Sequence, residues 1–113
     1  MLHDAAGERG LAVRWRVEQL PCFTIWKNTA AVPDGYVTGL EPATNFPNNR
    51  SFERTQGRVV VLPPGGIWEA TWSMEVFDTT DGVGGAKDEI ARHQSRTKAV
   101  IHRTPQATIS PGK

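Results

Sequence analysis

Several residue types are scarce in this chain, and each scarcity excludes something. One cysteine, Cys22, among 113 residues leaves no partner for an internal disulfide. A lone thiol fits a reducing compartment, with the cytoplasm as the default. Histidine occurs three times, at His3, His93 and His102, far apart and without ligand spacing. Zinc needs four protein ligands, or three and a water, so no metal and no cofactor are expected. No apolar run approaches the ~18 residues of a spanning helix, which argues against a membrane protein. The opening MLHDAAGERG lacks the basic start and apolar stretch of a signal peptide. Thirteen Lys and Arg against twelve Asp and Glu leave a net charge of +1. The basic stripe of a nucleic-acid domain is absent, with only a mild cluster from Arg92 to Arg103.

What is present describes one modest domain. A chain of this length buries roughly 65% of its unfolded surface. Four Trp and four Phe argue against disorder, because such side chains are costly to leave in water. From Gly10 to Val17 apolar and polar residues alternate, which predicts a half-buried strand. Cys22 to Trp26 follows Pro21 as a second strand, and Tyr36 to Leu40 is a third, stopped by Pro42. Ala43 to Gln56 is polar and Asn-rich and predicts a long loop of the functional kind. Arg58 to Leu62 and Ile67 to Phe77, joined by Pro63-Pro64-Gly65-Gly66, predict a hairpin. Trp15, Trp68 and Trp72 fall on its apolar faces and those of the first strand, as core residues. Beyond Asp78 a glycine run, Gly82-Val83-Gly84-Gly85, predicts a flexible break before a polar helix over Ala86 to Arg96, then a frayed tail. The expected organisation is therefore 1–9 disordered or truncated, 10–78 all-β with about five strands, and 79–113 a linker, short helix and flexible tail.

Most candidate chemistry has a plainer explanation. Cys22 sits in an apolar run and reads as a small hydrophobe. The glycine run lacks the Lys-Ser/Thr of a phosphate-binding loop. Arg14-Trp15-Arg16 places Trp and Arg on opposite strand faces, unlike a base-stacking platform, so no nucleic-acid partner is expected. The most informative stretch is Tyr36 to Pro47, YVTGLEPATNFP. Pro42 restricts Glu41 to extended backbone angles, so the carboxylate is firmly aimed. An Asn-rich, Arg-bearing loop follows, with donors and acceptors suited to a polyhydroxylated ligand. On these residues alone, a solvated Glu before a turn is the favoured reading.

The order and spacing of four segments carry a resemblance. They are Leu20-Pro21-x-Phe23-Thr24-x-Trp26-Lys27-Asn28, Gly39-Leu40-Glu41-Pro42-x-Thr44-Asn45, Arg54-x-x-Gly57-Arg58, and Leu62-Pro63-Pro64-Gly65. Together they resemble the C-terminal part of the galactose-mutarotase-like superfamily, closest to its bacterial aldose 1-epimerase branch, over about two-thirds of the chain. The resemblance implies a piece of an antiparallel β-supersandwich and interconversion of aldose anomers by general acid/base catalysis. It places the catalytic base on Glu41, and offers Trp26, Lys27, Asn45 and Arg54 for binding a monosaccharide or sugar derivative. The family's acid is an upstream His, and only His3 precedes Glu41 here. The chain therefore resembles a C-terminal fragment, inactive alone, that associates with itself through open sheet edges. A non-catalytic carbohydrate-binding module and a small all-β interaction domain remain open beside it.

Overall fold

The computed structural model describes residues 1–111. Along the chain the elements are β1 (Leu2–His3), β2 (Gly10–Trp15), β3 (Cys22–Lys27), β4 (Thr38–Ala43), α1 (Arg50–Thr55), β5 (Trp72–Phe77) and α2 (Thr80–Gln94), with one 3-10 turn at Val32–Asp34. Strand pairing is antiparallel in both ladders whose register is defined. Helices hold nearly as much of the chain as strands, and the antiparallel sheets are consistent with a small all-β or mixed architecture. Two compact units share the sequence. The first combines Met1–Arg14 with Trp72–Arg103, and the second combines Trp15–Thr71 with the chain from Thr104. Among the described residues no helix is long and apolar enough to cross a membrane.

The first unit is a three-stranded sheet in the order β1-β2-β5, with α2 against it. Residues 1–9, expected to be disordered, form one arm of a hairpin. Leu2 pairs with Leu11 and His3 with Gly10. The turn is fixed by Asp4, whose amide donates to the Arg9 carbonyl at 3.0 Å and whose carboxylate accepts from the Glu8 amide at 2.9 Å. Gly7, at φ 72°, provides the left-handed corner. The expected glycine break lies inside a helix. Thr79 caps α2 by accepting from the Gly82 amide at 3.2 Å, and Val83 and Ala86 are buried on its inner side. This packing overrides the low helix propensity of Gly82, Gly84 and Gly85. Gly10 admits the close approach, because a Cβ there would lie 3.3 Å from Val83 and 3.2 Å from the Leu2 carbonyl.

In the second unit β3 and β4 form a two-stranded ladder running from Cys22↔Ala43 to Lys27↔Thr38. Pro42, expected to end the strand, sits within it opposite Phe23. A two-stranded sheet has only edge strands, where proline is tolerated. Trp15 is half-buried, stacks on Phe23 with centroids 4.9 Å apart, and donates from Nε1 to the Leu20 carbonyl at 2.9 Å. The hairpin expected across Pro63–Gly66 forms only its turn, closed by the Gly66 amide on the Pro63 carbonyl at 2.8 Å. Residues 58–62 and 67–71 join no ladder among the described residues, and two consecutive prolines supply no amide at the point where pairing would begin. Trp68 and Trp72, expected in the core, are accordingly exposed.

Candidate functional site

Glu41 stands in the middle of β4 with Thr24 directly opposite on β3. Trp26 faces Gly39 across the same ladder. Because alternate residues share a face, Glu41, Gly39, Thr24 and Trp26 lie on one side of the sheet. Gly39 has a specific role there. The Glu41 carboxylate folds back into the space a Cβ on residue 39 would fill. Glu41 is exposed, as is Trp26 at 51%. The site thus places a carboxylate and an exposed indole on one face of the ladder, which also carries a hydrogen bond from Thr38 Oγ1 to the Trp26 carbonyl.

The other sequence-predicted residues lie elsewhere. Lys27 pairs with Thr38 on the opposite face of the ladder from Trp26. Asn45 follows β4 and spends its amide locally, donating to the Phe46 carbonyl at 2.8 Å and accepting from Thr44 Oγ1 at 3.1 Å. It lines a cleft of about 230 Å³ with Thr44, Arg50, Leu62 and Trp68. Neither Glu41 nor Trp26 lines that cleft. Arg54 is exposed in the last turn of α1, with no ion pair among the described residues. The structure therefore brings Glu41 and Trp26 together, and leaves Lys27, Asn45 and Arg54 outside that pairing.

The strongest polar cluster in the unit is one the sequence reading passed over. Glu53 is fully buried, at 0% exposure. Arg58 grips its carboxylate with two prongs, Nε to Oε2 at 2.6 Å and Nη2 to Oε1 at 2.8 Å. Asn48 Nδ2 donates to Oε1 at 2.7 Å and the Phe46 amide to Oε2 at 3.2 Å. These donors, Arg58 first, hold the Glu53 carboxyl down at about 2, against the opposing effect of burial. The Arg58 guanidinium also lies over Phe46 and Phe52, 5.2 and 5.8 Å from their centroids.

Local sequence explains how a residue on the helix meets one beyond it. Asn49 caps α1, accepting from the Ser51 amide at 3.0 Å. At the other end Gly57, at φ 71°, lets the chain reverse. The Gly57 amide then bonds to the Arg54 carbonyl and the Arg58 amide to that of Glu53, both at 3.0 Å. This is a Schellman closure, and it returns the Arg58 side chain to Glu53. The signal was legible as Glu53-x-x-x-Gly57-Arg58. The same cluster holds the C-terminal segment expected to fray. Arg58 Nη1 donates to the Thr108 carbonyl and Asn48 Nδ2 to that of Ile109, both at 2.8 Å.

Cys22 is buried, with its thiol directed at the Thr44 carbonyl 3.9 Å away, and burial pushes the thiol up from its ordinary value. A nucleophilic role would need the opposite shift. Among the described residues no group of three His, Cys, Asp or Glu is placed to hold a metal ion.

A family model described as Domain of unknown function (DUF4432) matches residues 1–76, about two-thirds of the chain. The chain belongs to the DUF4432 family. Searches of curated proteins and of solved structures each returned no match. The matched part of this DUF4432 chain contains Glu41, Trp26 and the whole Glu53–Arg58 cluster, and it ends inside β5. Helix α2 follows the matched residues.

Proposed function

We propose that this DUF4432 chain is a carbohydrate-binding, aldose 1-epimerase-like protein whose ligand, a monosaccharide or sugar derivative, docks on the Glu41 face of the β3–β4 ladder. The observation that carries the reading is the shared face of Glu41 and Trp26. An indole offers a flat apolar surface to the C–H face of a pyranose, and an adjacent carboxylate accepts hydrogen bonds from its hydroxyls. In the catalytic form, Glu41 takes the proton of the anomeric hydroxyl while a general acid protonates the ring oxygen. The C1–O5 bond breaks, the C1–C2 bond rotates, and the ring recloses with the protons returned. The galactose-mutarotase-like resemblance of the Gly39–Asn45 segment supports the role of Glu41, and the lone buried Cys22 suits a cytoplasmic setting.

One feature favours binding without turnover in this chain. All three histidines lie in the first unit, whereas Glu41 lies in the second. In the family the chain resembles, the acid is a His upstream of the base, and only His3 precedes Glu41 here. Loss of one member of an acid/base pair commonly lowers a rate by ~10²–10⁴. Activity would then belong to a longer protein that supplies the acid.

Amide and indole NMR of the chain with a panel of aldoses tests the reading. The Trp26 indole resonance should shift with sugar, and Trp26→Ala should remove the response. Glu41→Gln should weaken binding only modestly while abolishing anomer exchange in any longer protein that contains this chain. An indole spectrum blind to every aldose would refute the proposal.

A further inference from the structure

The Glu41 face of the β3–β4 ladder carries charge of one sign. It holds Cys22, Thr24 and Trp26 opposite Ala43, Glu41 and Gly39, whereas Lys27, the other charged residue of the two strands, falls on the reverse face. Glu41 enters no ion pair among the described residues. Gly39 and Trp26 are directly opposite, and side chains so paired start about 4.5–5.5 Å apart on the same side of a sheet. Residue 39 has no side chain, and the Glu41 carboxylate folds back to fill the place where its Cβ would be. The carboxylate thereby takes the cross-strand position opposite Trp26, whose side chain is 51% exposed.

We propose that, granted the sugar-docking reading above, the ligand of this face is a 2-amino-2-deoxy aldose with its amine protonated. A carboxylate with no basic neighbour on its ladder face, set across from an exposed indole, matches an ammonium group on both counts. The carboxylate supplies a charge-assisted hydrogen bond, and the electron-rich face of the indole supplies a cation–π contact. The amine at C2 of such a sugar lies next to the anomeric hydroxyl at C1. The two oxygens of Glu41 can therefore engage both groups, one each. Thr24, directly opposite Glu41, brings a hydroxyl to the same face for a further sugar oxygen. An aldose carrying a carboxylate or phosphate would instead be repelled by Glu41, and no basic side chain of the ladder face would answer its charge.

Titrations of the full chain, followed by the indole N–H resonance that is missing from the Trp26→Ala spectrum, test this preference. At about pH 6, below the range of an ordinary α-amino group, glucosamine should bind about tenfold more tightly than glucose or N-acetylglucosamine, the gain of one exposed ion pair and one cation–π contact. Added salt should shrink the preference. Glu41→Gln should abolish it while retaining a response to glucose. Gly39→Ala should abolish it too, although the charge remains, because the new Cβ takes the place of the carboxylate. Only the far end of the Glu41 side chain must move to admit that Cβ, so the ladder is kept. Equal affinities for the three sugars, or a preference that outlasts both substitutions, would overturn the proposal and leave sugar docking standing. An indole signal unmoved by every aldose would refute the docking reading and the proposal with it.

Discussion

Acid should destabilise this protein through Glu53, and the proton count can be stated in advance. In the folded chain the carboxyl is held at about 2, against 4.5 for an ordinary glutamate. A depressed folded value means that the contribution of Glu53 to stability is complete above about pH 5.5 and is lost as the pH falls toward 2. Between those limits the unfolded chain binds one proton at this position that the native chain does not. Stability therefore rises with pH there by one proton's worth of slope from Glu53 alone. Asp4 and Glu89 are also lowered, Asp4 chiefly by the Glu8 amide and Glu89 by Arg14, and both add slope in the same direction. The Glu53→Gln variant isolates the first contribution. Gln keeps the volume, removes the charge, and turns an N–H toward donors that previously had only acceptors before them. Urea unfolding followed by Trp fluorescence at a series of pH values gives both slopes. The variant should be less stable at neutral pH, and its acid slope should be shallower than the wild type's by about one proton. Equal slopes would mean that Glu53 titrates normally, and the account of the buried cluster would fail.

Other expectations follow from packing and capping. Val83→Ala removes a side chain that is 1% exposed and should cost about 2 kcal/mol by urea unfolding. Gly10→Ala should cost a similar ~1–3 kcal/mol because its Cβ presses on Val83 and the Leu2 carbonyl. Combined with Val83→Ala the penalty should be less than additive, since the smaller side chain yields the space. Thr79→Ala removes the cap of α2 and should lower stability by about 1 kcal/mol, with the loss visible in helical ellipticity. Cys22 should resist thiol reagents in the native chain and react once urea unfolds it, and rapid native labelling would contradict its burial.

The sequence was most readable where local pattern and tertiary contact agree. Alternation marked β2 and β3 to within two residues, although in β2 the buried side chain is Ala12, on the face it shares with Arg14 rather than on the apolar Leu11-Val13-Trp15 face. It failed at RVVVL, where an apolar run met no partner strand, so period alone could not confer burial. The glycine run misled for the opposite reason. Val83 and Ala86 pack well enough to stabilise a helix that propensity disfavours. At the site, the pairing of Glu41 with Trp26 required a ladder register that neither residue reveals, and Lys27 fell on the wrong face for the same reason. Glu53 and Arg58 were hidden because their meeting depends on the reversal at Gly57, whose glycine was visible although the side chains it joins were not.

The division of the chain has a consequence for how it is made. The first unit takes its opening strands from the start of the sequence and β5 with α2 from the far end, and the second closes only when the segment from Thr104 arrives. Neither unit can therefore close on a ribosome before residues 72–103, or the segment from Thr104, have been translated. The nascent β2 must wait through some 57 residues, Trp15–Thr71, for its partner β5. Such distant pairing slows folding. Circular permutation that joins the old termini and opens the chain near residue 71 would bring Trp72–Arg103, the segment from Thr104 and the opening hairpin into one continuous run. A permuted chain that refolds faster at equal stability would show that sequence order, rather than the finished contacts, sets the pace.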